Sequence, residues 1–192
     1  VNGDEIMFIC SRYLPRLQDN KVVMATIMSN LGFEIAIKKM NQQFLRSQVG
    51  DRYVSEQIAV SGAKIGGEQS GHIIFPELNS TGDGLLTSLM FLEAIHISEK
   101  SLKTLRKEIS LFPQVLINVP VLSKNNLESN ESIKAVIEKA KISLGDNGRI
   151  LVRPSGTEPL VRVMVEGIEQ TLIQTHANEI AEVIKKEMSL AS

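Results

Sequence analysis

The 192-residue chain has one cysteine, no tryptophan, two tyrosines and six phenylalanines. A lone cysteine cannot close an internal disulfide, so the fold must rest on its own core and not on the staples of a small secreted domain. Cys10 falls in an amphipathic stretch, residues 4–17, and is read as a small core residue in a reducing, cytoplasmic setting. Long apolar runs are also missing. The most apolar stretch, residues 85–97, is interrupted by polar residues well short of the roughly 20 needed to span a bilayer, and no charged leader precedes a hydrophobic segment. Neither sign of charge dominates, because 21 Lys and Arg stand against 22 Asp and Glu for a net charge of -1. Nucleic acid or an anionic membrane would favour a basic excess, so neither is expected as a partner. His96 and His176 lie on expected helices with no acidic or cysteine residue at ligand spacing, so no metal site is expected within the chain.

What is present is ordinary for a globular protein: 43% hydrophobic and 22% charged residues. The length suits one large domain or two small ones, on a prior of about 100 to 200 residues each. Residues 21–27, 44–49, 63–66 and 72–75 read as strands, separated by helical patterns at 4–17, 31–40, 51–60 and 81–97. Asp4 and Ser29 are the expected N-caps of the first two. Such alternation implies an α/β domain with a mixed, largely parallel sheet and flanking helices. A helix at 101–109 follows, then Phe112-Pro113, where the domain boundary is placed. Beyond it come a strand at 114–121, a polar loop, a helix at 132–142, a Gly-Asp-Asn-Gly turn, two strands and a helix at 171–188, the pattern of a small α+β domain. The expected domains are thus 1–110 and 111–192. Val1-Asn-Gly-Asp4 opens within what reads as a strand end and turn, so the chain is taken as part of a longer one.

Two polar runs carry the functional signal. Arg153-Pro-Ser-Gly-Thr-Glu-Pro159 lies between strand-like segments 150–152 and 160–165. It places a guanidinium, two hydroxyls and a Gly amide in one turn, with Arg162 on its far flank. Arg153 and Arg162 offer planar forks of donors, Ser155 and Thr157 hydroxyls, and Gly156 a backbone N–H, which together suit a phosphate. An ordinary hairpin turn is the competing reading.

The second run is Gly66-Gly-Glu-Gln-Ser-Gly-His72. Glu68 and Ser70 provide acceptor and donor groups suited to vicinal sugar hydroxyls, and the glycines allow close backbone approach. Glu68 would repel an anion and no Lys follows, so this is not a phosphate-binding P-loop. A Gly-rich bend with a capping Glu competes. His72 could be a general acid or base, or the first residue of an edge strand. Asp51 and Arg52 end a strand and open a helix, where ligands sit in open α/β sheets, although Asp51 as a cap with Arg52 solvated is an equal reading. Asp83 is read as a cap.

With both loops in view, the chain resembles the C-terminal half of the bacterial phosphoglucosamine mutases within the α-D-phosphohexomutase superfamily. Gly67-Glu-Gln-Ser-Gly-His72 is similar to that family's sugar loop and Arg153 to Arg162 to its phosphate loop. Val49-Gly-Asp-Arg-Tyr-Val54, Thr81-Gly-Asp-Gly-Leu-Leu86 and Met28-Ser-Asn-Leu-Gly32 are similar to further family stretches. The resemblance implies a four-domain enzyme with its active site in the cleft between all four, of which this chain holds the third and fourth, hinged near Phe112-Pro113. The enzyme it implies interconverts glucosamine 6-phosphate and glucosamine 1-phosphate through a phosphoserine and a 1,6-bisphosphate. Phosphoserine and the Asp-rich magnesium loop would come from the first two domains; neither motif occurs here, so no catalytic residue is assigned, His72 remaining a candidate, and magnesium is not expected to bind this chain. Glu68, Ser70 and Gln69 would hold the sugar, and Arg153, Ser155, Gly156, Thr157 and Arg162 the phosphate. Asp51, Arg52 and His72 are further candidate contacts. Partners implied are a small-molecule sugar phosphate, the missing N-terminal domains and a possible homodimer partner. Gln69, where the phosphomannomutase and phosphoglucomutase branch usually has Met, and Asp51, where it commonly has His, favour the amino sugar. A Lys which that branch carries near Ile27 or Met28 is also absent. The same half of a phosphomannomutase or phosphoglucomutase is the alternative, and a stand-alone sugar-phosphate binding module a more distant one.

Overall fold

Strand β1 (Val22–Thr26) organises the first part of the molecule, because all five of its residues are buried. That is expected of a central parallel strand covered on both faces. β2 (Gln43–Ser47) and β3 (Ile65–Gly67) flank it in parallel, and β4 (Ile73–Ile74) pairs antiparallel with β3, giving the order β2-β1-β3-β4. Side chains alternate faces along a strand. Val23 and Ala25 therefore pack with Met7 and Phe8 of α1 (Gly3–Tyr13), Phe33 of α2 (Leu31–Lys39) and Met90 of α4 (Gly84–Ser98). Val22 and Met24 turn the other way, onto Val54 and Ile58 of α3 (Asp51–Ser61). Phe33 meets Phe44 edge-on, with centroids 5.1 Å apart, a favoured aromatic geometry.

The computed structural model describes residues 1–188 and divides the chain into two units, Val1–Leu111 and Phe112–Ser192. In the second, β5 (Gln114–Pro120), β6 (Gly148–Pro154) and β7 (Leu160–Gly167) form an antiparallel sheet in the order β5-β7-β6. Val161, Val163 and Val165 of the middle strand alternate onto α6 (Glu131–Leu144) and α7 (Gln170–Met188), packing with Ile133, Ile173 and Ile180. The fold class is as the sequence implies: a mixed, mostly parallel α/β unit followed by a smaller α+β one. Among the described residues no helix is long and apolar enough to cross a membrane.

Several local expectations need correction. Asn2, not Asp4, caps α1, through a reciprocal box with Glu5. Asp4 is instead buried, and its Oδ2 accepts from the Asn30 amide at 2.8 Å. Asn30, not Ser29, caps α2. Both errors have one cause: a short polar residue near a helix start reads as a cap, while the backbone angle that selects the capping position is set by the preceding chain. Gly50 holds the N-cap position of α3 with no side-chain cap bond, so Asp51 is the first helical residue and not the cap. Asp83 does cap α4, accepting from Leu86 N; the helix therefore starts at Gly84 and excludes residues 81–83. The stretch 101–109 shortens to α5 (Leu102–Leu105) and a 3-10 turn. His176 has an acidic neighbour after all, Glu179 at 3.5 Å, and its other ring nitrogen lies 3.0 Å from Ser143 Oγ.

Two candidate ligand loops

The loop between β3 and β4 is held on three sides. Glu68 N donates to the His72 carbonyl at 2.9 Å and Gly71 N to the Glu68 carbonyl at 3.0 Å. Gly71 has φ 105, a conformation that favours a residue without Cβ. The third anchor is the start of α1, where Gly3 N donates to the Gln69 carbonyl at 2.9 Å. A Cβ on Gly3 would stand 2.0 Å from the Glu68 carbonyl oxygen, so the loop can lie on this helix end only because Gly3 has none.

Glu68 is the hub of that loop. Its Oε1 accepts from Gly50 N at 2.8 Å and its Oε2 from Ser70 Oγ at 3.2 Å. Asp51, Glu68 and His72 each bring one ligand-type atom within 4.8 Å of the others. Gly82 borders the same group: a Cβ there would meet Asp51 Oδ2 at 3.7 Å and the His72 ring at 3.8 Å. Asp51, Glu68, Ser70 and His72 are therefore gathered at one place. Arg52 is not drawn into that group; it is exposed and pairs along α3 with Glu56 at 2.8 Å. Gln69 contributes its carbonyl to the seat on α1. The group offers two carboxylates, a hydroxyl and an imidazole, which can accept from and donate to polyol hydroxyls. It is a poor fit for magnesium, which demands an octahedron of oxygens: one of its members is an imidazole, and both Glu68 oxygens already accept protein hydrogen bonds.

The second loop joins β6 to β7. Both strands run further than expected, so Arg153 and Pro154 are strand residues, Arg162 lies in its strand as expected, and the turn itself is residues 155–159. Register places Arg153 directly opposite Arg162. Opposed like charges destabilise a sheet, and here each guanidinium retains a buried Nε without a hydrogen-bond partner. Arg162 reaches one carboxylate, Glu158 at 3.2 Å. Burial and the Arg162 charge both push the Arg153 pKa down, yet an arginine remains cationic at neutral pH. At the other end of the same sheet face, Arg149 is paired at 2.7 Å with the fully buried Glu166. Two cations thus face one another only at the loop end.

Within the turn, Ser155 is buried and its Oγ accepts from Glu158 N at 3.3 Å. Ser155 N donates to the Leu160 carbonyl at 2.9 Å. Gly156 and Thr157 are exposed, and among the described residues their amides donate to no protein acceptor. Lys124, to which the sequence reading assigned no role, places its ammonium 2.6 Å from the Ser155 carbonyl and 3.2 Å from that of Glu158. The result is a turn whose Ser155, Glu158 and Pro159 carbonyls are engaged while the Gly156 and Thr157 amides are not, and unengaged amides in a turn flanked by two guanidiniums are suited to an oxyanion.

The fold agrees with the comparisons. The model of phosphoglucomutase/phosphomannomutase alpha/beta/alpha domain III matches residues 2–112, and that of the C-terminal domain of the same enzymes matches residues 116–183. The chain belongs to the phosphoglucomutase/phosphomannomutase family, as its domains III and IV. More particularly, it is 48% identical over 193 aligned residues to the phosphoglucosamine mutase of Bacillus pumilus and 48% identical to that of Bacillus subtilis. It is covered to 99% in both, and it spans 43% of the length of these relatives. Among solved structures, N-acetylphosphoglucosamine mutase of Aspergillus fumigatus superposes with TM-score 0.78 at 18% identity, covering 98% of this chain and 44% of that one. The same fungal enzyme has been solved with GlcNAc-6P and magnesium, at TM-score 0.75 and 21% identity over 95% of this chain and 46% of that one.

Proposed function

We propose that this chain is the sugar- and phosphate-binding half of a mutase that interconverts glucosamine 6-phosphate and glucosamine 1-phosphate. The observation that carries this reading is the opposed pair Arg153 and Arg162, each with an unpartnered buried Nε, next to the free amides of Gly156 and Thr157. A protein without an anionic ligand would gain by placing a carboxylate in that rung, as it does with Arg149 and Glu166. The 48% identity to phosphoglucosamine mutases supports the amino sugar as substrate.

In this reading the guanidiniums and tip amides clamp the phosphate that is not reacting. Such fixing of the substrate is a main protein contribution to phosphoryl transfer. Glu68 and Ser70 hold ring hydroxyls, each giving up or sharing its present internal hydrogen bond. Asp51 and His72 stand close enough to Glu68 to contact the same ring. The phosphoryl donor and the magnesium that assists transfer would belong to residues outside this chain, so this chain alone should bind without turning over.

Calorimetric titration with glucosamine 6-phosphate, glucose 6-phosphate and inorganic phosphate tests the reading. Phosphate affinity should fall by about tenfold or more in Arg153→Ala, and preference for the amino sugar should vanish in Glu68→Ala. Phosphate bound equally well by Arg153→Ala would overturn it.

A further inference from the structure

The unassigned cation beside the turn has a defined geometric role. Lys124 follows β5, on the sheet edge opposite β6, in a segment tied to the turn by the Val121 amide donating to the Pro159 carbonyl at 3.0 Å. Its ammonium bridges the carbonyls of Ser155 and Glu158, the two ends of the turn's tip. All peptide bonds described are trans. In a trans peptide the C=O and the following N–H point in opposite directions. Drawing the Ser155 carbonyl toward Lys124 therefore turns the Gly156 N–H away from it.

We propose that Lys124 is a positioning residue for the phosphate loop, which holds the Ser155 carbonyl on its own side so that the Gly156 amide faces the anion; this rests on the reading of that loop given above. Among the described residues Lys124 is the donor to the Ser155 carbonyl, so without it the peptide between Ser155 and Gly156 loses the bond that sets its orientation. Flipping it would present a carbonyl oxygen where an amide is needed, and a phosphate would then meet repulsion instead of a donor. An ammonium suits this task because its three donors can serve two carbonyls at once. Ser155 assists from the other side by holding Glu158 N with its hydroxyl.

The test is an amide-resolved NMR titration of the chain with inorganic phosphate, for the parent, Lys124→Met, Lys124→Gln, Lys124→Arg and Arg153→Ala. For Lys124→Met we expect phosphate affinity lower by about tenfold, the scale of one charge-assisted hydrogen bond. Its Gly156 amide resonance should also move in the absence of ligand, with the thermal midpoint nearly unchanged. Lys124→Arg, which keeps charge and donors, should restore both; a purely structural role would not tie the Gly156 resonance to the affinity in this way. Lys124→Gln keeps a donor without charge and serves if the Met variant fails to fold; it should restore the Gly156 position more fully than the affinity. Parent-like affinity and an unmoved Gly156 resonance in both Lys124→Met and Lys124→Gln would overturn the proposal while Arg153→Ala still weakened binding. Undiminished binding in Arg153→Ala, or a parent that does not bind at the loop, would instead overturn the phosphate-loop reading and the role of Lys124 together.

Discussion

The two candidate loops differ in how far the protein satisfies them. Around Gly67–His72 the central carboxylate and much of the backbone have internal partners: Glu68 holds Gly50 and Ser70, and the Gln69 carbonyl is capped by the start of α1. Around the β6–β7 turn the donors are left over, in two opposed guanidiniums and two free amides. A hydroxyl-rich sugar ring can exchange with internal hydrogen bonds of similar strength, so a sugar site can be preformed and self-satisfied. An anion site has to keep its positive charge uncompensated to be useful, and the sheet tolerates the repulsion.

The sharpest way to break this contrast is Arg153→Ala. Phosphate affinity should fall at least tenfold, on the order of one charge-assisted contact, while thermal stability stays level or rises slightly as an opposed charge is removed. A loss of stability matching the loss of binding would mean that the pair is structural. Next in size is Gly3→Ala. Its Cβ has no room against the Glu68 carbonyl, and forcing it in should cost about 1–3 kcal/mol. The damage should appear as moved resonances at Glu68, Gln69 and Gly71, with the β6–β7 turn unaffected. Smaller still is Glu68→Gln, which keeps an acceptor for Gly50 or Ser70 but loses the charge. Stability should fall by about 1 kcal/mol, measured by denaturant unfolding, with inorganic phosphate binding unchanged.

The mildest test is pH. Burial would raise the carboxyls of Glu5, Glu34 and Glu108, but the Arg106 guanidinium and Asn2 amide at Glu5, Lys38 and Arg46 at Glu34, and Lys100 with Tyr13 and Arg12 at Glu108 outweigh it and hold all three below the ordinary carboxylate range. Their contribution to stability is complete above the unfolded-state pKa and is lost as pH falls through the lowered folded values. All three lie in the first unit, so hydrogen exchange between pH 7 and pH 3 should show its amides losing protection while the pH drops. The Cys10 thiol, pushed up to about 12 by burial, should stay unreactive toward thiol reagents until that unit opens.

Much of the fold was legible in the sequence because periodicity is a local property. The all-buried run at β1, the period-2 valines of β7 and the helical spacing of α1 and α7 each announce their element without reference to the rest of the chain. The two candidate loops were legible for a related reason, since Gly, Ser, Glu and Arg are crowded together there beyond what a connection needs. Gly3, Gly82 and Lys124 were not legible as parts of these loops. Gly3 meets Glu68 across 65 residues of sequence, and Lys124 meets Ser155 across 31; neither has a local pattern pointing to its partner. Asp4 was misread for the same reason, as its partner, the backbone amide of Asn30, lies at the N-cap of another helix.

By itself, then, the sequence determined which segments become strands and helices, that two kinds of polar loop exist, and that one is anionic and the other cationic. Only the tertiary structure decided that Arg153 stands opposite Arg162, that Asp51 and His72 join Glu68 while Arg52 does not, and that the Lys124 ammonium meets the carbonyls of Ser155 and Glu158. The physical reason is that secondary structure follows from patterns a few residues long. Hydrogen bonds and charge pairs depend on registers and helix ends that are fixed only when distant segments pack.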